Sequence, residues 1–197
     1  TRFGELVEDE AIARRYAGLA AQVRDSFRQR FWYADGGHLY DVVDGPHGND
    51  ASLRPNQIFA VSLPSELLDP EQAAAVVATC QRELLTPMGL RSLAVGQPGY
   101  TGVYAGGPVE RDGAYHQGTV WSWLLGPFAL AHFRVHGRAE EAQAMLAGIG
   151  SHLAEACVGS ISEIFDGDAP HRPRGCCAQA WSVAEVLRAW FALKERT

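Results

Sequence analysis

Residues able to do chemistry gather in three stretches of this chain, and the third is the most pointed. In GSISEIFDGDAPHRPRGCCAQAW (159–181), Glu163 stands close to Ile161, Ile164 and Phe165, with Asp166 and Asp168 just after it. Desolvation disfavours the charge of a carboxylate beside apolar groups, which leaves it able to take or give a proton near neutral pH. His171, Arg172 and Arg174 follow in the same loop. A first stretch, 32–53 with Arg54 at its end, supplies Asp35, His38, Asp41, Asp44, His47, Asn49 and Asp50. The second, 86–117, supplies Arg91, Tyr100, Tyr104, Asp112, Tyr115, His116 and Gln117. Carboxylates, arginine, amides and flat rings are the set that holds a sugar. Rings stack on its apolar face, and charged or amide groups bond neighbouring hydroxyls. Solvation explains polar residues in any single loop; the same mixture in three loops points to a polar-ligand site.

Other chemistries fit poorly. His38, His47, His116 and His171 show no HxH or HExxH spacing. The pairs Asp41/Asp44 and Asp166/Asp168 lack the acidic alternation of an EF-hand, so no metal is expected. No GxSxG elbow accompanies Ser160 or Ser162. Cys80, Cys157, Cys176 and Cys177 form no CxxC pair. Cys80 and Cys157 fall in helical patterns as small apolar residues, which argues for a reducing, cytoplasmic setting. A net charge of −6 without a Lys/Arg run argues against nucleic acid, and no apolar run reaches the ~18 residues of a membrane span.

The elements that must position these loops read as helices. Apolar residues at three- and four-residue steps predict an amphipathic helix over 9–31, through Ile12, Tyr16, Leu19, Val23, Phe27 and Phe31. Arg54-Pro55 opens a short uncharged helix ended by Pro64. Asp69-Pro70-Glu71-Gln72 places an N-cap, a proline at the first helical position and a capping-box glutamine, starting a helix to about Leu85. The segment 118–135 reads as a helix apolar on nearly every side, kinked at Pro127 and stopped at Gly137. An amphipathic helix follows over 138–157, and a last one over 176–193 buries Ala180, Val183, Ala184, Leu187, Trp190 and Phe191. No strand pattern of any length competes, so the expected class is all-α. Short links alternate with long ones, which puts the long loops 32–53, 86–117 and 158–175 at one end of three hairpins. That is the logic of an α/α toroid, present as about six helices, half a ring. A half ring has open flanks through which self-association is expected.

The segments ASLRPNQIFAVSLP (51–64), GLRSLA (89–94), YHQGTVWSWLLGPF (115–128) and GSISEIFDGDAPHRPRGCCAQAWSVAEVLRAW (159–190) resemble the C-terminal glucosidase domain of glycogen debranching enzymes. The resemblance implies an (α/α)6 toroid, related to glucoamylases, that cleaves α-1,6-linked glucose at branch points with inversion, without metal or organic cofactor. On it, Glu163 in SEIFDG matches the catalytic base. Asp50, Arg54, Gln57, Tyr115, His116, Gln117 and Trp121 are the substrate-binding candidates, on loops matching those that line the sugar pocket. The family's acid, an aspartate in a Trp-Met-Asp stretch, is expected upstream of Thr1, since these 197 residues contain no such stretch. The implied partner is glycogen, limit dextrin or a related α-glucan. Two other readings are a glucoamylase- or trehalase-like glycosidase of the same architecture and a non-catalytic helical module that binds glycan or protein.

Overall fold

The computed structural model describes Leu6 and residues 9–196. Helix α1 (Glu10–Phe31) starts where Asp9 accepts bonds from the amides of Ala11 and Ile12. It departs from expectation in its packing: none of its residues is fully buried, and Ile12, Tyr16, Leu19 and Val23 are exposed. Only its end touches the core, through Phe27 and Phe31. A 3-10 turn (Pro55–Ile58) runs into α2 (Phe59–Ser62), and α3 (Pro70–Glu83) carries the expected capping box between Asp69 and Gln72. Helix α3 turns Val76, Val77 and Cys80 inward with no exposure, and Leu84 just beyond it is equally buried. Burial pushes the Cys80 thiol up to about 12, so it packs as an apolar group.

The all-α expectation requires correction, because a five-stranded antiparallel sheet holds the middle of the fold. Two hairpins come first, β1 (Trp32–Tyr33) with β2 (His38–Leu39) and β3 (Val42–Gly45) with β4 (Gly48–Asp50). The sheet follows in sequence order: β5 (Leu85–Thr86), β6 (Gly89–Arg91), β7 (Val120–Trp121), β8 (Ile164–Phe165) and β9 (Pro173–Arg174). Strands of two or three residues are too short to show a period of two, which is why the pattern hid them. Strand β7 lies inside the stretch read as an apolar helix. Gly89 makes the β6–β7 approach possible: its φ is +148°, and a Cβ there would lie 2.3 Å from the Trp121 carbonyl oxygen.

After β7 come a 3-10 turn (Ser122–Leu124), helix α5 (Leu125–His136), and two short helices, α6 (Ala139–Ala144) and α7 (Ala147–His152). A short α4 (Pro108–Ala114) precedes β7. Pro127 falls in the first turn of α5, where its missing N–H breaks no helical bond, so no kink is needed. Gly137 ends α5 in the left-handed conformation, φ 70°. The single helix expected over 138–157 is instead broken at residues 145–146 and ends by His152. The last helix, α8 (Ala180–Lys194), begins later than residue 176 because 176–179 bonds to the segment 161–163 that leads into β8: Glu163 N donates to Cys176 O at 2.9 Å and Gln179 N to Ile161 O at 2.9 Å. Its buried residues are Ser182, Ala189 and Leu193, while Leu187, Trp190 and Phe191, expected inside, are exposed.

Two apolar clusters support the sheet. One joins α2, α3, β6 and α5 around Ile58, Leu84, Leu90, Phe128 and Ile164; the other joins α5, α6, α7 and α8 around Leu125, Ala142, Ile149, Ala189 and Leu193. Each large side chain removed from water here contributes about 1.5–3 kcal/mol. Among the described residues no helix is long and apolar enough to cross a membrane.

The capping box generates a simple test. Asp69→Ala should destabilise the fold by about 1 kcal/mol, since it strips the acceptor from the Gln72 amide. The measurement is a lower urea midpoint with an unchanged slope.

Candidate active site

Glu163 sits immediately before β8, and its neighbours fix where it points. Ile161, Ile164 and Phe165 are turned into the core, so the carboxylate does not lie in the apolar pocket that the sequence suggests. It meets three donors instead. Tyr115 Oη donates to Oε1 at 2.5 Å, Gln179 Nε2 to Oε1 at 3.4 Å, and the Cys176 amide to Oε2 at 3.0 Å. Burial first, and the bond to Glu163 second, push the Tyr115 phenol well above its ordinary value, so it remains a donor. Gly175 lets this closure form: its φ is +63°, and a Cβ there would fall 2.4 Å from Glu163 Oε2.

The backbone under Glu163 is pinned from below. Ser162 N donates to His152 Nε2 at 3.1 Å, and Ser122 Oγ donates to Ser162 O at 2.7 Å. Because His152 Nε2 accepts that bond, the proton of the neutral ring belongs on Nδ1, 3.3 Å from Glu155 Oε2. His152 has no exposed surface.

The two aspartates that follow are already engaged. Asp166, nearly buried, takes a bidentate pair from Arg174, Nε at 3.0 Å and Nη2 at 3.0 Å to its two oxygens, and a bond from Tyr104 N at 2.9 Å. Asp168 accepts from Tyr100 Oη at 2.8 Å, and Arg91 Nε donates to the intervening Gly167 carbonyl at 2.9 Å. These bonds join the second long loop to the third.

Arg54 joins the first loop to the second. Its Nη1 donates to Ser92 O at 3.1 Å and His116 O at 2.7 Å, its Nη2 to Gln117 Oε1 at 3.0 Å, and its Nε faces Asp41 at 3.4 Å. All three long connections therefore meet. A cavity of about 500 Å³ opens at the junction, lined by the polar groups of Asp41, Asp50, Arg54 and Gln117 and by the indoles of Trp121, Trp123 and Trp181. Burial raises the Asp41 carboxyl above the usual range, Arg54 opposes the rise, and Asp50 adds to it. Bonds from Ser52 lower Asp50. Tyr115 links the Glu163 clamp to the cavity wall, since its ring packs edge-on against Trp121 at 4.8 Å. His116 lies flat on Trp121, with ring centroids 5.0 Å apart and planes 1° from parallel.

Of the residues expected to bind substrate, Asp50, Arg54, His116, Gln117 and Trp121 line this cavity. Tyr115 instead serves Glu163. Gln57 is buried and tied internally: its Nε2 donates to Arg54 O at 2.9 Å, and its Oε1 accepts from Leu39 N at 3.2 Å. Gln179, Trp123 and Trp181 escaped the sequence reading, because they sit in stretches whose apolar pattern reads as helix interior. Cys157, read as a buried helical residue, lies beyond α7 and is half-buried beside Cys177.

Such a domain, helical with a sugar-sized cavity walled by acids and indoles, belongs to a class that comparison defines. A sequence model described as amylo-alpha-1,6-glucosidase matches residues 2–188, and the chain belongs to that family. The family is one of glycoside hydrolases. The chain is also 28% identical over 167 residues to a glycogen debranching enzyme of Saccharomyces cerevisiae (strain ATCC 204508 / S288c). That match takes in 73% of this chain and 11% of the yeast protein, so the chain spans a small part of that relative's length.

Arg174→Met would leave a nearly buried carboxylate with one backbone donor. A loss of about 2 kcal/mol is expected in urea unfolding, because a charged partner is left without its bidentate pair. Arg174→Lys should recover only part of it, as an ammonium cannot reproduce the planar fork.

Proposed function

We propose that this chain carries the base-bearing part of an inverting glucosidase site that releases α-1,6-linked glucose from branch points of glycogen or limit dextrin, with Glu163 as the general base. One observation carries the reading: Glu163 is held by three donors, and one of them, Tyr115, packs on Trp121 of a cavity lined by acids, arginine and indole rings. An ionised carboxylate offers about four acceptor sites. Three are occupied here, and the fourth would accept the attacking water. Glu163 would take that water's proton as its oxygen attacks the anomeric carbon. A carboxylic acid on the opposite side would protonate the leaving oxygen, the two groups standing roughly 6.5–9.5 Å apart to admit the water. Asp166 is a poor alternative, since both its oxygens are taken by Arg174 and one also by the Tyr104 amide, while Asp168 is bonded through one oxygen to Tyr100.

The acid is expected on polypeptide outside residues 1–197, as is the rest of an (α/α)6 toroid, which would close against the exposed apolar faces of α1 and α8. Substrate hydroxyls would be taken by Asp50, Arg54, His116 and Gln117, and no metal or organic cofactor enters the step. The name of the yeast relative and the four free cysteines favour action on glycogen in the cytoplasm.

Glu163→Gln in the full-length polypeptide tests the assignment. The amide is nearly isosteric, so folding and sugar binding should persist while glucose release from a branched limit dextrin falls by about 10²–10⁴-fold. Near-parental release by Glu163→Gln alongside an inactive Asp166→Asn would move the base to Asp166. The 197-residue chain by itself is expected to release no glucose; substantial turnover would place the acid within it.

A further inference from the structure

Three aromatic rings form a ladder at the edge of the cavity. Phe59 stacks on Trp123 at 5.6 Å with planes 17° apart, and Trp123 stacks on Trp181 at 3.9 Å with planes 18° apart. Trp123 thus stacks with two rings. Trp181 has one face covered, and the residue is 51% exposed. The other indole of the cavity, Trp121, is only 8% exposed and carries His116 flat against it. Trp181 is therefore the most exposed indole of the cavity, and it stands in the first turn of α8 stacked on Trp123. Gln179, two residues earlier, donates to Glu163.

An exposed indole is costly to leave in water and is suited to the C–H face of a pyranose ring, whose apolar patch matches its size. The cavity's polar groups, Asp41, Asp50, Arg54 and Gln117, belong to the first and second loops, whereas Trp181 comes from α8 after the third. A volume of about 500 Å³ has room for more than one glucosyl ring. One ring in the polar part would leave a neighbour in the same glucan free to lie on the indole.

We propose that the open face of Trp181 is a second glucosyl platform, which holds a residue of the α-glucan chain other than the one released and so selects long branched chains over short ones. The proposal rests on the reading of this site as an α-glucan hydrolase. In chemical terms the ligand is a neutral, uncharged pyranose taken by its apolar face, so its binding should be insensitive to salt.

The test compares two substrates in the full-length polypeptide: α-glucosyl fluoride, which has one glucosyl unit, and a maltooligosaccharide bearing a single α-1,6 glucosyl stub. Trp181→Ala should lower kcat/KM for the long substrate at least about fivefold more than for α-glucosyl fluoride, the difference lying in KM. Trp181→Phe should recover most of the loss, and Trp181→Leu, which keeps apolar bulk without a flat face, should not. Equal losses on both substrates, or none on either, would overturn the proposal. A change in elution volume without a change in substrate preference would do the same, by making the indole an interface. Binding of maltopentaose, measured by calorimetry in the Glu163→Gln background, keeps the two ideas apart. Weaker binding on adding Trp181→Ala supports the platform even if Glu163→Gln still turns over. Unchanged binding in a background that is inactive sinks the platform and leaves the base standing.

Discussion

Glu163 is gripped by groups from separate parts of the chain, and the fold is arranged so that they arrive together. Tyr115 comes from the end of α4, Gln179 from the cap of α8, and the Cys176 amide from the strand-like segment between β9 and that helix. None of them could reach the carboxylate unless β7, β8 and β9 were in register, with Trp121 opposite Ile164 and Ile164 opposite Arg174. The sheet is small, yet it sets the one geometry on which the site depends. Its glycines mark where that geometry is tight: Gly89 against the Trp121 carbonyl and Gly175 against Glu163 itself.

A second constraint is electrostatic. A guanidinium presents five N–H donors in a rigid fork, and Arg54 uses the fork to hold two backbone carbonyls, one amide and one carboxylate. It therefore fixes the loop of Tyr115, His116 and Gln117 relative to Asp41 and Asp50. The Asp166–Arg174 pair does the equivalent work on the other side, tying the third loop to Tyr104 of the second. These braces tie together the loops that carry Asp41, Asp50, His116 and Gln117 of the cavity and those around Glu163. Conformational cost that a substrate would otherwise meet is thereby reduced.

Much of this was legible in the residues, for reasons that differ from part to part. The capping box at Asp69 and the glycine stop at Gly137 are local chemistry, so the sequence displays them directly. The meeting of three long loops followed from the alternation of link lengths. Strands β5 to β9 did not, because each is too short for its alternation to be separated from a helical period. The inward faces of α1 and α8 were misjudged for a related reason. Periodicity shows that a helix has an apolar face, not that something in these residues covers it; Leu187 and Trp190 lie on such a face and are exposed. Glu163 stands out in the sequence by type and motif, whereas the amide of Cys176 that holds it carries no side-chain signal at all. Gln57 reads like a pocket residue and in fact braces Arg54.

Stereochemistry tests the proposed role of Glu163 most directly. A base that activates water on the face opposite the leaving group must invert the anomeric carbon, while a nucleophile in the same place would retain it. Proton NMR of the full-length polypeptide acting on a branched limit dextrin, read faster than glucose mutarotates, distinguishes the two. The account predicts that β-glucose accumulates first and then equilibrates. Initial release of α-glucose would contradict it.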